Sequence, residues 1–243
     1  PRHERILEAS RRNVARLKAL IDDLLTLSKA ETRHTELEAA DLAPLVRDAV
    51  TDVRITAAGR GISVDFTMPE DRVPVLADRA MLGRAMLNIL SNAVKFSLDG
   101  GKVEVDIVAA ARHVVVRVRD HGIGIPASEV ERLGTRFFRA SNAVTNEIAG
   151  TGLGLRIVQT IVDKHAGEMR IDSEEGRGTT VSVRLPLLGD ADALEPSGRP
   201  AWQPEQPADE PADEQADDRD DDRDHHRGEQ ESVEAGVGEQ PRN

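Results

Sequence analysis

"LNILSNAVKFS", residues 87–97, reads as an apolar helix interrupted along one side. At helical period Asn88, Asn92 and Lys95 stand at i, i+4 and i+7, so two carboxamides and an ammonium share one face. Leu87, Ile89, Leu90, Ala93, Val94 and Phe96 surround them. An amide buried unpaired among such neighbours costs about 1–3 kcal/mol, so something polar is expected to sit on that stripe. The apolar remainder of the helix needs a second layer to cover it, and the flanking sequence supplies strands.

Those strands are read from alternation. "ISVDFT" (62–67) alternates, and a short strand is expected over 73–77. "KVEVDIVAA" (102–110) and "HVVVRVRD" (113–120) are joined by a tight connection near residues 110–112 and read as a β-hairpin. "EMRIDSE" (168–174) and "GTTVSVRLP" (178–186) close the set. Between them fall helices: one capped by Asp41 with Pro44 in its first turn and ended by Gly59 and Gly61, the opening helix capped by Asp78, and one over about residues 151–165. Helices grouped with a largely antiparallel sheet predict an α+β, two-layer α/β sandwich. No internal repeat is visible.

Upstream, residues 4–31 form one long helix without Gly or internal Pro. Val14, Leu17, Ile21, Leu24 and Ser28 approximate a heptad seam, widened by Leu7, Leu20 and Leu25. A single helix cannot bury that seam, so a helical hairpin and a homodimer interface are expected, with folding back on the following domain as the alternative. The chain therefore divides into residues 1–34, 35–188 and an acidic tail, 189–243. Residues 190–243 carry 18 of the 44 acidic residues but only 5 of the 32 basic ones, so the net charge of -12 belongs to the tail. Rich in Pro, Asp, Glu and Gln, the tail cannot offset its ordering entropy and is expected to be disordered. Residues 217–224 with His225 and His226 could hold a cation or a basic partner, against a plain solubilising role, and Trp202 reads as a linker residue.

Cysteine is absent, which excludes disulfide scaffolds, thiolate zinc sites and cysteine nucleophiles. No apolar run approaches the roughly 20 residues that span a bilayer, and no signal peptide precedes the first helix. A cytoplasmic location is expected, with any membrane attachment through upstream segments of a longer protein, since the chain begins at Pro1 within a helical pattern.

Three glycine clusters bear on the asparagine stripe. In "DHGIGIP" (120–126) a strand ends at Asp120, and Gly122 and Gly124 leave room for a flat ring on the backbone while the carboxylate accepts from an exocyclic amine, as adenine would require. In "GTGLGLRIV" (150–158) Gly150, Gly152 and Gly154 lead into a helix whose free N–H groups can receive phosphate oxygens. "GRGTT" (176–180) places Gly176, Gly178 and Thr179 at a turn into the last strand. Each taken alone reads as a structural turn.

In this order behind an N-x-x-x-N-A-x-K helix, the set resembles the ATP-binding catalytic domain of bacterial sensor histidine kinases, within the wider group of gyrase-type and chaperone-type ATPases that share the Bergerat fold. "NILSNAVKFS" is similar to the family's N box, "DHGIGIP" to its G1 box, "RFFRA" (136–140) to its F box, "GTGLGL" to its G2 box and "GRGTT" to its G3 motif. The resemblance covers about residues 35–186, and "IDDLLTLSKAE" (21–31) resembles the end of the second helix of the dimerisation and phosphoacceptor hairpin.

The resemblance implies Mg²⁺ held between the amides of Asn88 and Asn92 and the phosphates of ATP, with Lys95 on phosphate oxygens. It implies Asp120 on adenine N6, with Gly122, Gly124 and Ile125 beside it. Phe96 stands where the family often has Tyr, which keeps the packing and loses a hydroxyl. Residues 136–149 would be a mobile lid anchored by Phe137 and Phe138, with Arg139 reaching a phosphate. Gly150, Thr151, Gly152, Leu153, Gly154, Leu155 and Thr179 would complete the ATP site. Where the hydrolysing branch carries a Glu as general base, Asn88 leaves water unactivated, so the γ-phosphate is kept for a histidine. The implied partners are a second copy of the chain and a response regulator receiver domain, not nucleic acid.

No histidine matches the family's phosphoacceptor motif. "HERILE" at His3 has Arg5 at the apolar position and no following Pro, His34 reads as a hinge, and His165 as a helix-dipole contact. The acceptor is expected on a first helix upstream. An anti-sigma-factor-type serine kinase, or an ATPase or nucleotide-binding scaffold of the same fold, are the alternatives.

Overall fold

In the computed structural model the paired alternation of the hairpin builds the floor of the core. Val103, Val105 and Ile107 from one strand and Val114, Val116 and Val118 from the next all turn inward and are buried. The structure describes residues 2–32, 36–146 and 148–189. His34, the acidic stretch 217–224 with His225 and His226, and Trp202 lie outside the described residues. By its internal contacts the chain divides into residues 1–197 and 198–243, and all that follows belongs to the first unit.

The order is α1 (Arg2–Thr32), β1 (Glu38–Asp41), α2 (Leu42–Ala58), β2 (Ser63–Thr67), β3 (Pro74–Ala77), α3 (Arg79–Phe96), β4 (Lys102–Ala109), β5 (His113–Asp120), α4 (Ala127–Val130), α5 (Ser141–Thr145), α6 (Gly154–Lys164), β6 (Glu168–Glu174) and β7 (Gly178–Pro186). Five strands form one sheet in the order β2-β4-β5-β7-β6, antiparallel except for the β2–β4 pair. That pair is parallel because the chain crosses through α3 before re-entering beside β2. α2, α3 and α6 cover the sheet through Val46, Val50, Leu82, Ile89, Ile157 and Ile161, all buried, which makes the expected two-layer sandwich.

The helices start where their caps place them. The Asp41 side chain accepts from Ala43 N, and that of Asp78 from Ala80 N and Met81 N. The C-terminus of α3 is held by Arg60, whose guanidinium donates to the carbonyls of Val94 (2.7 Å) and Ser97 (2.8 Å) and pairs with Asp99 at 2.8 Å. A cation on these last carbonyls also complements the helix dipole, so Arg60 fixes the end of the helix that carries the asparagine stripe.

β1 escapes sequence reasoning. "EAAD" has poor strand propensity and is held by antiparallel pairing with β3, Glu38 opposite Ala77. α6 begins at Gly154, three residues after the expected Thr151, because Thr151, Gly152 and Leu153 are spent on the turn into it.

α1 carries two faces. Leu27 and Ala30 are buried where the helix packs on α6, whereas Val14, Leu17, Ile21 and Leu24 of the heptad-like seam are 45–66% exposed. Folding back on the domain and a free seam for another helix thus coexist. Among the described residues, no helix is long and apolar enough to cross a membrane.

Candidate functional site

α3 turns Asn88, Asn92 and Lys95 toward a cleft of about 260 Å³, whose walls include Phe96, Phe138, Arg139, Gly150, Thr151 and Gly154. The Nδ2 of Asn88 is buried there without a hydrogen-bond partner. Half a turn of that amide presents oxygen instead, so the group is suited to a ligand or a cation. Among the described residues no three His, Cys, Asp or Glu side chains gather to hold a metal. A divalent cation here would therefore take amide oxygens from Asn88 and Asn92 and fill its shell from phosphate and water, a donor set that suits Mg²⁺. Burial, and then the charge of Arg139, push the Lys95 ammonium below the usual lysine range, while Asp23 pulls it back. A phosphate at this spot would relieve that pair of cations.

Asp120 continues the inward series of β5 by one more position, which delivers a carboxylate to the end of the core with 5% exposure. Its Oδ1 accepts from Gly122 N at 3.0 Å and Thr179 N at 3.2 Å, leaving Oδ2 for an amine. It faces a smaller cavity of about 60 Å³ with Thr179, Ile125 and Leu155, and this cavity shares Asn92 and Phe96 with the large cleft. The site is thus a polar cleft continued by a narrow slot that ends in a carboxylate.

Burial pushes the Asp120 carboxyl up to about 6 from an ordinary 3.8, against the pull of the Gly122 and Thr179 N–H groups and of His121. The folded state therefore binds a proton more readily than the unfolded one, and stability is lost as pH rises from 3.8 to about 6. Asp120→Asn should accordingly be more stable than the parent at pH 7, by up to about 3 kcal/mol, with little difference near pH 4. The same variant should lower the ratio of ATP to GTP affinity about tenfold, because an amide offers a donor to guanine O6. Melting curves at the two pH values and paired titrations check this; an unchanged nucleotide ratio would leave Asp120 as a strand terminator only.

Several sequence expectations are corrected. Gly122 and Gly124 are kept bare by packing: a Cβ at Gly122 would lie 2.1 Å from the carbonyl O of Phe96, and one at Gly124 1.9 Å from that of Glu174, while Gly124 also lines the large cleft. Their bare backbones let the loop pack under α3 and against the β6–β7 turn, and this packing shapes the slot. Gly122 and Leu153 do not line either cavity; Leu153 is fully buried in the core at the start of α6. Phe137 holds the segment after residue 136 by its backbone, not by its ring, which is 57% exposed. Its N–H donates to Gly152 O at 3.1 Å, and it holds φ 64, a costly value for a residue with a Cβ. Phe138 does line the cleft, with Arg132 over its ring at 4.3 Å. His165 makes no charged helix-dipole contact. It is buried, its Nδ1 lies 2.7 Å from Ile161 O and its Nε2 accepts from Asp78 N at 3.1 Å, so it braces α6 against the cap of α3 as a neutral ring. Burial lowers its pKa accordingly.

Two polar cleft residues were not singled out by sequence. Asn142, on α5, donates to Gly124 O at 2.9 Å and ties α5 to the loop after β5, while its Oδ1 is buried without a partner. Asp23 enters the cleft from α1. Neither stands in a motif with the residues it meets.

A helical layer with an amide-bearing face, set over a mixed sheet whose central strand ends in a buried aspartate, defines a nucleotide-binding domain of the kind shared by histidine kinases, gyrase B and Hsp90. The family described as "Histidine kinase-, DNA gyrase B-, and HSP90-like ATPase" matches residues 77–189. The chain is 39% identical over 171 residues to histidine protein kinase DivJ of Caulobacter vibrioides, covering 70% of this chain and 28% of DivJ. It is 33% identical over 186 residues to sensor histidine kinase WalK of Bacillus subtilis, covering 75% of this chain and 30% of WalK. Among solved structures, the mycobacterial sensor histidine kinase MprB is 33% identical with a TM-score of 0.55, over 62% of this chain and 97% of that one. The catalytic domain of histidine kinase ThkA is 25% identical with a TM-score of 0.55, over 62% and 95%. The chain belongs to the sensor histidine kinase family, and its folded domain is the family's ATP-binding domain. It spans less than a third of the length of DivJ and WalK.

Proposed function

We propose that the cleft binds Mg-ATP and presents its γ-phosphate to a histidine, so that the protein acts as a histidine kinase feeding a response regulator aspartate. The observation that carries this reading is the buried, unpartnered amide of Asn88 beside Asn92 and Lys95 on one face of α3. Asn88 and Asn92 hold the cation, which when bound neutralises charge on the phosphates. Lys95 and Arg139 bind phosphate oxygens, the loop before α6 offers Thr151 and free N–H groups, and Asp120 orients the base through its amine. Asn88 has no basic atom to take a proton from water, which favours transfer to a protein nucleophile over hydrolysis. The exposed seam of Val14, Leu17, Ile21 and Leu24 supports a homodimer through a helical hairpin.

Calorimetric titration with ATP tests the reading. Saturable binding is expected with Mg²⁺ and should weaken at least tenfold on chelation. Equal affinity with and without the metal would remove Asn88 and Asn92 as ligands.

A further inference from the structure

One anionic side chain in the cleft comes from a helix outside the sandwich. Asp23, on α1, lines the cleft with its side chain 17% exposed. Its Oδ2 accepts a 2.6 Å hydrogen bond from the hydroxyl of Thr151, and its Oδ1 lies 3.8 Å from the guanidinium of Arg84. Thr151 Oγ1 in turn accepts from Leu153 N at 3.3 Å, so the turn that starts α6 is closed by a carboxylate from α1. Farther along the same helix, Leu27 and Ala30 are buried on the face toward α6, and Glu31 pairs at 2.7 Å with Arg136 at the start of the lid.

A carboxylate has the chemistry of a phosphate oxygen pair: anionic, acceptor-only and able to take two donors. Asp23 engages the hydroxyl of the glycine-rich loop and supplies negative charge to Lys95, both of which a nucleotide phosphate would claim. Two anions cannot share one set of donors in a half-buried cleft without a large repulsion. We propose that Asp23 is an intramolecular competitor of the nucleotide phosphates: α1, docked through Asp23 and Glu31, holds the cleft in a low-affinity state, and nucleotide releases the helix. The inference rests on the reading that the cleft binds Mg-ATP. By linkage, whatever factor docking costs in nucleotide affinity, nucleotide costs in docking. Loading the site would thereby free the helix that carries the exposed seam of Val14, Leu17, Ile21 and Leu24, coupling occupancy to helix position.

The test uses the full 243-residue chain and the non-hydrolysable probe Mg-AMPPNP. Asp23→Ala is expected to tighten the Kd about tenfold. Glu31→Gln, which loosens the second contact from outside the cleft, should tighten it by a smaller factor. Saturating probe should also speed hydrogen exchange in the amides of residues 24–32 of the parent chain. Unchanged affinity in Asp23→Ala, with a parent that binds, overturns the competition and leaves the cleft reading intact. Weaker affinity overturns it too, by making Asp23 a helper in holding the metal. A parent and variants that all fail to bind overturn the cleft reading and this inference together, whereas a variant that binds where the parent does not supports both. Should Asp23→Ala lose its circular dichroism, Glu31→Gln and the exchange measurement decide, and unchanged values in both count against the competition.

Discussion

Asn92→Ala should lower Mg-ATP affinity by at least about 100-fold while the melting temperature moves by less than about 3 °C. Asn92 is the one amide that lines both the large cleft and the slot ending at Asp120, so it stands where a metal-bound phosphate chain would meet the nucleoside. Its side chain makes no hydrogen bond within the described protein, and alanine is the better helix former, so truncation leaves the packing of α3 alone. Asn88→Ala separates the two kinds of role further. Binding should fall in that variant as well, yet stability should hold or rise, because a buried polar atom without a partner disappears. Calorimetry on folded variants checks both. An Asn92→Ala protein that binds as the parent does would mean that the stripe serves something other than a nucleotide.

The parts of this site that were legible in sequence are those carried by a single periodic element. The 3.6 period put Asn88, Asn92 and Lys95 on one face, and the period of two in β5 put Asp120 on the inner side of the sheet, so both could be placed before any tertiary contact was known. What was not legible depends on segments that meet only in the folded chain. Gly122 and Gly124 looked like room for a ring, but what forbids a side chain there is the carbonyls of Phe96 and Glu174, the latter some fifty residues away. The short α5 lacks a side-chain cap and a periodic apolar face, so Asn142 had no local signal. Asp23 and Thr151 are separated by 128 positions, and nothing in either neighbourhood announces the other. The seam of α1 was visible, but the face it buries, through Leu27 and Ala30, was not, since both faces repeat at nearly the same spacing.

The chain alone should incorporate no acid-labile, base-stable phosphate from ATP and should release inorganic phosphate only at background rates, even when nucleotide saturates it. Both expectations follow from residue types. By the resemblance Asn88 stands where the hydrolysing branch carries a Glu base, and lacking such a base would cost about 100- to 10,000-fold. Of the histidines whose side chains the structure describes, none lines the cleft: His165 is buried with both ring nitrogens engaged, and His121 faces Glu104 at 3.0 Å. Neither lines the cavity that holds the asparagine stripe. Supplying a separate phosphoacceptor hairpin with an intact histidine motif should restore labelling, on the hairpin and not on this chain, and Asn92→Ala should abolish it in parallel with binding. The restored rate should climb further with Asp23→Ala if α1 has to leave the cleft before the γ-phosphate can be presented. Phosphohistidine on the isolated chain that vanishes in His3→Gln would place the acceptor on α1 after all. Rapid phosphate release by the isolated chain would show instead that the cleft activates water without a carboxylate at residue 88, and would move the protein to the hydrolysing branch of its fold.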